Sequence, residues 1–167
     1  MTTDANIRMQ RPLDAVDPTI AELLREEARR EATGLIAFLL VVMTFGALMA
    51  GLRAGSAHNT FPTMSGYWIP PGLFDLEPWW INPFENGTTV QFIHRWLATL
   101  LALGVLALAI RTRWPETLLA GGLALLQFAL GAATILSGVV IPIAAAHQAG
   151  AILLLTILMV VRHRAGT

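Results

Sequence analysis

The sequence predicts an all-α integral membrane protein, a four-helix bundle, on three observations. Hydrophobic residues make up 55% of the 167 and charged residues only 13%, with a mean hydropathy of +0.62. A soluble domain seldom joins such apolarity to long uncharged runs. Four runs of about the 20 residues that a bilayer demands succeed one another. Short turns join the second to the third and the third to the fourth, so those neighbours are antiparallel.

Residues 1–16 read as disordered. Asp17-Pro18-Thr19 reads as a helix start, an N-cap with proline at the first helical position. It opens a charged helix over 20–33 (Arg25, Glu26, Glu27, Arg29, Arg30, Glu31) that reads as a solvated cytoplasmic extension running into the membrane. The first 30 residues are polar and lack the early apolar core of a cleavable signal. Residues 1–33 thus form a cytoplasmic tail and 34–163 the four-span bundle. The spans are 34–52, 90–110, 117–136 and 142 or 143 to 161. The third is rich in small residues (Gly121, Gly122, Gly131, Ala132, Ala133), which allow helices to approach closely. Between the first two spans lies a long loop, 53–89, with five prolines and with Trp68, Trp79 and Trp80. Its tryptophans suit a segment lying at the membrane interface, and its length suits one that covers or lines something.

All eleven basic residues are arginine, and no cysteine occurs. The second fact removes disulfides, thiolate metal sites and iron–sulfur centres. A net charge of zero gives no sign of a nucleic-acid partner. Arginine placement sets orientation. Arg8, Arg11, Arg25, Arg29 and Arg30 precede the first span, Arg111 and Arg113 lie between the second and third, and Arg162 and Arg164 follow the fourth. These fall on one side, so both termini are cytoplasmic and the 53–89 loop faces outward. The chain is multi-pass in the cell's inner (plasma) membrane, with lipid as its surroundings.

His94 and His147 each sit early in an apolar span, where an ionisable side chain is costly and is kept for a task. Gln91, His94, Arg95 and Ala98 share one helical face; so do Ala144, His147, Gln148 and Ala151. Each helix offers one imidazole on a narrow polar stripe with an alanine a turn below. The two spans run the same way, so the rings reach similar depth. One reading is two unrelated imidazoles bonded to neighbouring groups; the other is ligation of one metal centre. Zinc would want further ligands that the spans do not supply, so haem is the best candidate. Bis-imidazole iron suits electron transfer. Arg95 is a candidate partner for a haem propionate, or else snorkels to headgroups. Gln91 and Gln148 are candidates for orienting an imidazole or bonding a propionate, or else join helices. Gln127 reads as helix glue, and His58 and His163 as solvated surface residues.

Several ordered motifs carry a family resemblance. Ala50-Gly51-Leu52-Arg53-Ala54-Gly55, Asn59-Thr60-Phe61-Pro62-Thr63-Met64-Ser65-Gly66, Trp68-Ile69-Pro70, Phe84-Glu85-Asn86 and Val90-Gln91-Phe92-Ile93-His94-Arg95 closely resemble the haem A synthase family of cytochrome oxidase assembly proteins. Leu126-Gln127-Phe128-Ala129-Leu130-Gly131 and His147-Gln148 continue the match, which covers about residues 40–163. The resemblance implies an eight-helix fold of two similar halves, of which this chain resembles the C-terminal one. It implies oxidation of a haem O methyl group to the formyl of haem A, and a b-type haem (iron) held by His94 and His147. The other half of such proteins has a glutamate three residues before its first histidine; here that place is Gln91. A glutamine cannot exchange a proton as a carboxylate can. The expected role is therefore the bis-histidine haem b half of haem A formation, with haem O as a possible ligand. An N-terminal-half partner or a homodimer would complete it. The alternatives are a stand-alone transmembrane b-type cytochrome and a non-catalytic partner subunit. Met1 could also be an internal start in a longer reading frame.

Overall fold

A computed structural model describes residues 17–166, and the disorder expected over 1–16 lies outside them. Helix α1 spans Pro18–Gly51; 3₁₀ turns follow at Ala54–Ser56 and Trp79–Ile81, then α2 (Asn82–Glu85), α3 (Gly87–Thr112), α4 (Pro115–Leu136) and α5 (Ile141–Arg164). No strand occurs among the described residues. Helices α1, α3, α4 and α5 are long and apolar enough to cross a membrane, so the chain is an all-α, multi-pass membrane bundle.

The expected cap is present: Asp17 accepts from Ile20 N at 3.1 Å, with Pro18 in the first turn. The 34 residues of α1 rise about 50 Å at 1.5 Å each, so the charged extension and the first span form one unbroken rod. The solvated reading of that extension needs correction. Ala28 and Ala32 are fully buried against Leu108, Val161 and Ala165, because small side chains on one face let α1 lie flush against α3 and α5. In lipid, helix association rests on such close packing rather than on apolar burial. The approach of α4 to α3 shows this as well, since a Cβ added to Gly121 would stand 3.0 Å from that of Ala109.

The four long helices form a ring in which α1 packs on α3, α3 on α4, α4 on α5 and α5 on α1. Helices α3 and α5, which carry the two span histidines, occupy opposite corners. Leu39, Val42, Leu101, Val105, Ala120, Ala124, Leu154 and Leu158 fill the bundle centre. At one end, Arg111–Glu31 (2.5 Å), Arg164–Glu116 (3.3 Å) and Arg162 Nε to Thr33 Oγ1 (3.1 Å) tie the helices together. Such partly exposed pairs contribute about 0–1 kcal/mol each. Helical threonine hydroxyls close onto carbonyls one turn back, as at Thr44, Thr99, Thr134 and Thr156, which leaves no orphan hydroxyl to face lipid.

At the other end, the long loop is stapled to the start of α3 by two asparagines. Asn86 Oδ1 caps the Thr88 and Thr89 amides, and its Nδ2 donates to Gly72 O at 2.7 Å and to Asn82 Oδ1 at 2.9 Å. Asn82 Nδ2 donates to the Leu76 and Trp79 carbonyls, each at 2.8 Å. Thr89 Oγ1 donates to Leu73 O. Loop and helix are thereby one unit, and the loop sits over the bundle's open end.

Candidate functional site

Above the central apolar layer the helices part around a cavity of ≈ 680 Å³. Its floor includes Leu39, Val42, Leu101, Ala124 and Leu154, and its roof includes Arg53, Gly55, Ser56 and Phe61 of the loop. All five residues singled out from the sequence line it: Gln91, His94, Arg95, His147 and Gln148. Ala98 and Ala151, one turn below each histidine, line it too.

The two imidazoles are held alike. His94 Nδ1 lies 3.1 Å from Val42 O on α1, and His147 Nδ1 lies 3.1 Å from Gln127 O on α4. A carbonyl oxygen only accepts, so each Nδ1 carries the proton and each Nε2 keeps its lone pair. A glycine makes each contact possible. A Cβ on Gly46 would stand 3.2 Å from His94 Cε1, and one on Gly131 would stand 3.0 Å from His147 Cε1. Each glycine follows the accepting carbonyl by four residues, one helical turn on, where a side chain would cover that carbonyl.

Arg95 turns into the protein rather than toward headgroups. Its Nη1 is shared among the carbonyls of Thr60, Pro62 and Thr63 at 3.0–3.1 Å, and its guanidinium lies 5.7 Å from the centroid of the Phe61 ring. Phe61 in turn meets Phe128 of α4 edge-on at 5.7 Å, so the loop tip bridges α3 and α4. Arg95 Nε and Nη2 are buried without partners. Those two donors form the side-on edge of a guanidinium, the fork that takes a carboxylate bidentately. Gln91 is fully buried; its Nε2 donates to His58 O at 2.9 Å and its Oε1 has no partner. It bonds the loop rather than another helix. Gln148 stands at the exposed rim.

Three residues mattered more than their sequence suggested. His58 is half-buried rather than free in solvent, with Nδ1 2.8 Å from Ser65 Oγ and Nε2 3.4 Å from Thr88 Oγ1. Partial burial first, and the Arg95 guanidinium second, hold its imidazole below the usual value of 6.5. Gln127 donates to the His147 carbonyl as well as receiving its ring. Gly46 was one more small residue in an apolar run, with no local signal of its neighbour. The loop–helix turn at Val139 is also unusual: a β-branched residue at φ 65 lining the cavity, against which a Cβ on Gly55 would press at 3.0 Å.

Among the described residues no group of three or more His, Asp or Glu gathers. The donors present are two imidazoles, an arginine fork and a glutamine carbonyl around a broad apolar space. The fold and cavity thus define a multi-pass helical membrane protein with a two-histidine chamber under a loop roof.

The sequence profile of the cytochrome oxidase assembly proteins, COX15-CtaA, matches residues 7–159, and the chain belongs to that family. It is similar to the heme A synthase of Nitrosospira multiformis, 46% identical over 141 residues, 79% of this chain and 39% of that protein. It is similar to that of Rhodospirillum centenum, 42% identical over 160 residues, 91% of this chain and 41% of the relative. With that of Paracoccus denitrificans it shares 38% identity over 164 residues, 90% and 43% respectively. The chain therefore spans about two fifths of the length of these curated relatives. No solved structure matches it.

Proposed function

We propose that this chain is the haem b-binding, C-terminal-type half of a haem A synthase system and serves haem A formation. The observation that carries this is the pair of imidazoles on opposite corners of one cavity, each with Nδ1 tied back to a neighbouring helix. That leaves two Nε2 lone pairs, and His94 and His147 would be the residues that hold a haem iron. Tied Nδ1–H groups of this kind fix ring orientation and raise ligand basicity. Arg95 Nε and Nη2 would bind a propionate, with Gln91 Oε1 as a nearby acceptor and Gln148 at the rim. Gly46, Gly131, Ala98 and Ala151 keep the space beside the rings free of bulk. Such a haem would supply one-electron redox capacity; the protein would supply its position under the loop roof.

The family membership and the relatives named heme A synthase support placing that electron carrier in the oxidation of haem O to haem A. The oxidation itself would take place on an N-terminal-half partner or in a homodimer. The arginine distribution supports an inner-membrane location with both termini cytoplasmic and the loop outside. Gln91 favours one second reading, a stand-alone b-type cytochrome, because its amide is committed to His58 O and offers no exchangeable proton.

The test is a reduced-minus-oxidised spectrum of the purified chain. A low-spin b-type band that His94→Ala and His147→Ala each abolish is expected; a band surviving both substitutions would sink the ligation reading. Haem O turnover with and without an N-terminal-half protein then separates the two roles.

A further inference from the structure

Gln127 does more at His147 than a helix-packing amide requires. Its backbone carbonyl accepts from the His147 ring at 3.1 Å, while its side-chain Nε2 donates to the His147 backbone carbonyl. That carbonyl only accepts, so the amide's orientation is fixed with nitrogen toward His147 and Oε1 away. Oε1 is buried with no N–H or O–H donor. It rests against Gly150, whose Cβ, if added, would collide with it. The glycine Cα–H is the weak donor left at such a helix contact. One residue thus grips His147 at both ring and backbone, and Gly150 is the space that admits it. His94 has only the first of these holds, because Val42 supplies a carbonyl but an apolar side chain.

Resting on the haem reading above, we infer that Gln127 is the positioning residue for His147. Its main-chain carbonyl holds the ring whatever the side chain, while its side-chain amide fixes the seat of α5 against α4 from which that ring is presented, and Gly150 belongs to the same device. The two imidazole arms are therefore unequal, with the α5 arm the more rigid.

The experiment takes the full chain loaded with haem b and records ferric electron paramagnetic resonance and midpoint potential. The variants are Gln127→Met, Gln127→Glu and Gly150→Ala, with His147→Ala as reference. Gln127→Met has similar volume and no donor; it should keep a six-coordinate low-spin haem but shift and broaden its g values. Gly150→Ala should give the same shift, because the new Cβ expels the amide. Gln127→Glu, neutral in so apolar a site, can donate from its O–H and should restore the wild-type signal. Wild-type g values and potential in both Gln127→Met and Gly150→Ala would overturn the inference even if both unfold earlier, since lost packing alone lowers stability without turning the ring. If Gln127→Met does not fold, the Gly150→Ala and Gln127→Glu pair decides by the same criterion. His147→Ala tells the two readings apart: a low-spin signal surviving it removes the ligation reading, whereas its loss with unmoved Gln127 variants removes only this one.

Discussion

Replacing Gly131 with alanine sets two known effects against each other at one atom. Mid-helix, glycine to alanine favours the folded helix by about 1 kcal/mol. At Gly131 the new Cβ would stand 3.0 Å from His147 Cε1, where ordinary contact begins near 3.4 Å, so the ring must give by a few tenths of an ångström. Overpacking of that kind costs about 1–3 kcal/mol. The ring cannot yield freely, because its Nδ1 is tied to Gln127 O at 3.1 Å. Gly122 lies on the same helix with nothing within 4 Å of its added Cβ, and serves as the control. Gly122→Ala should raise Tm and leave cofactor affinity unchanged. Gly131→Ala should show little or no gain in Tm and bind haem about 10–100-fold more weakly, the range for disturbed support of a metal ligand. Gly46→Ala, at 3.2 Å from His94 Cε1, should fall between. Haem titration of the apoprotein beside thermal melts reads both quantities. Equal affinity and equal Tm gain in Gly131→Ala and Gly122→Ala would refute the idea that the glycine is there for the ring.

Arg95→Lys keeps the charge but lacks the fork and the reach of a guanidinium; amide exchange over residues 58–66 should rise, and unchanged protection would show that the three loop carbonyls do not depend on Arg95. His58 titrates below 6.5 when folded, so the unfolded chain binds more protons as pH falls beneath that value, and loop stability should decline downward from about pH 6.5. His58→Asn should flatten that dependence in pH-resolved proteolysis; a stability rising toward acid would contradict the sign. Val139→Asn relieves a left-handed φ of 65, worth about 1–2 kcal/mol per residue, and should raise Tm. Because the chain has no cysteine, single cysteines report sidedness cleanly: a membrane-impermeant maleimide should label Glu85→Cys but not His163→Cys in intact cells, and the reverse would invert the proposed topology.

What could be read from the sequence followed from chemistry that is local along the chain. Four apolar runs, the Asp17-Pro18 start and the small residues of the third run prescribe helices, a boundary and close packing; the helices and the start are present, and the close approach is made at Gly121 and Gly131. The stripe containing Gln91, His94 and Arg95 and the stripe containing His147 could be seen because helical periodicity puts them on one face, and all reach one cavity. The supports could not be read in that way. Gly46 lies 48 residues before His94, and nothing in Phe45-Gly46-Ala47 marks the ring it accommodates. For Arg95 the sequence offers a propionate partner or a snorkelling cation, because both need only its own helix. Its actual partners, Thr60, Pro62 and Thr63, depend on how a loop folds back. The contacts of His58 with Ser65 and Thr88 depend on the same fold-back. The extension over 20–33 reads as a solvated rod because its charges dominate, although Ala28 and Ala32 form a face that only a neighbouring helix reveals.

The two histidine arms also share a rule that neither helix states alone. In each, an imidazole on one helix reaches a carbonyl at position i of the next, and residue i+4 of that second helix is glycine: Val42 and Gly46 for His94, Gln127 and Gly131 for His147. Within a helix the carbonyl at i already accepts from the amide at i+4, so a second donor must approach from the side, past the residue one turn on. Only a residue without a side chain leaves that path open. The accepting carbonyl stays satisfied if the imidazole leaves, whereas the imidazole has no equivalent alternative in an apolar chamber. The preference therefore runs one way, holding each Nδ1 on the neighbouring helix. Under the haem proposal, a chamber held in this manner would meet its ligand with little ordering left to do. The arrangement recurs on the α1–α3 pair and the α4–α5 pair, so each of two opposite corners of the ring carries one imidazole held by its neighbouring helix.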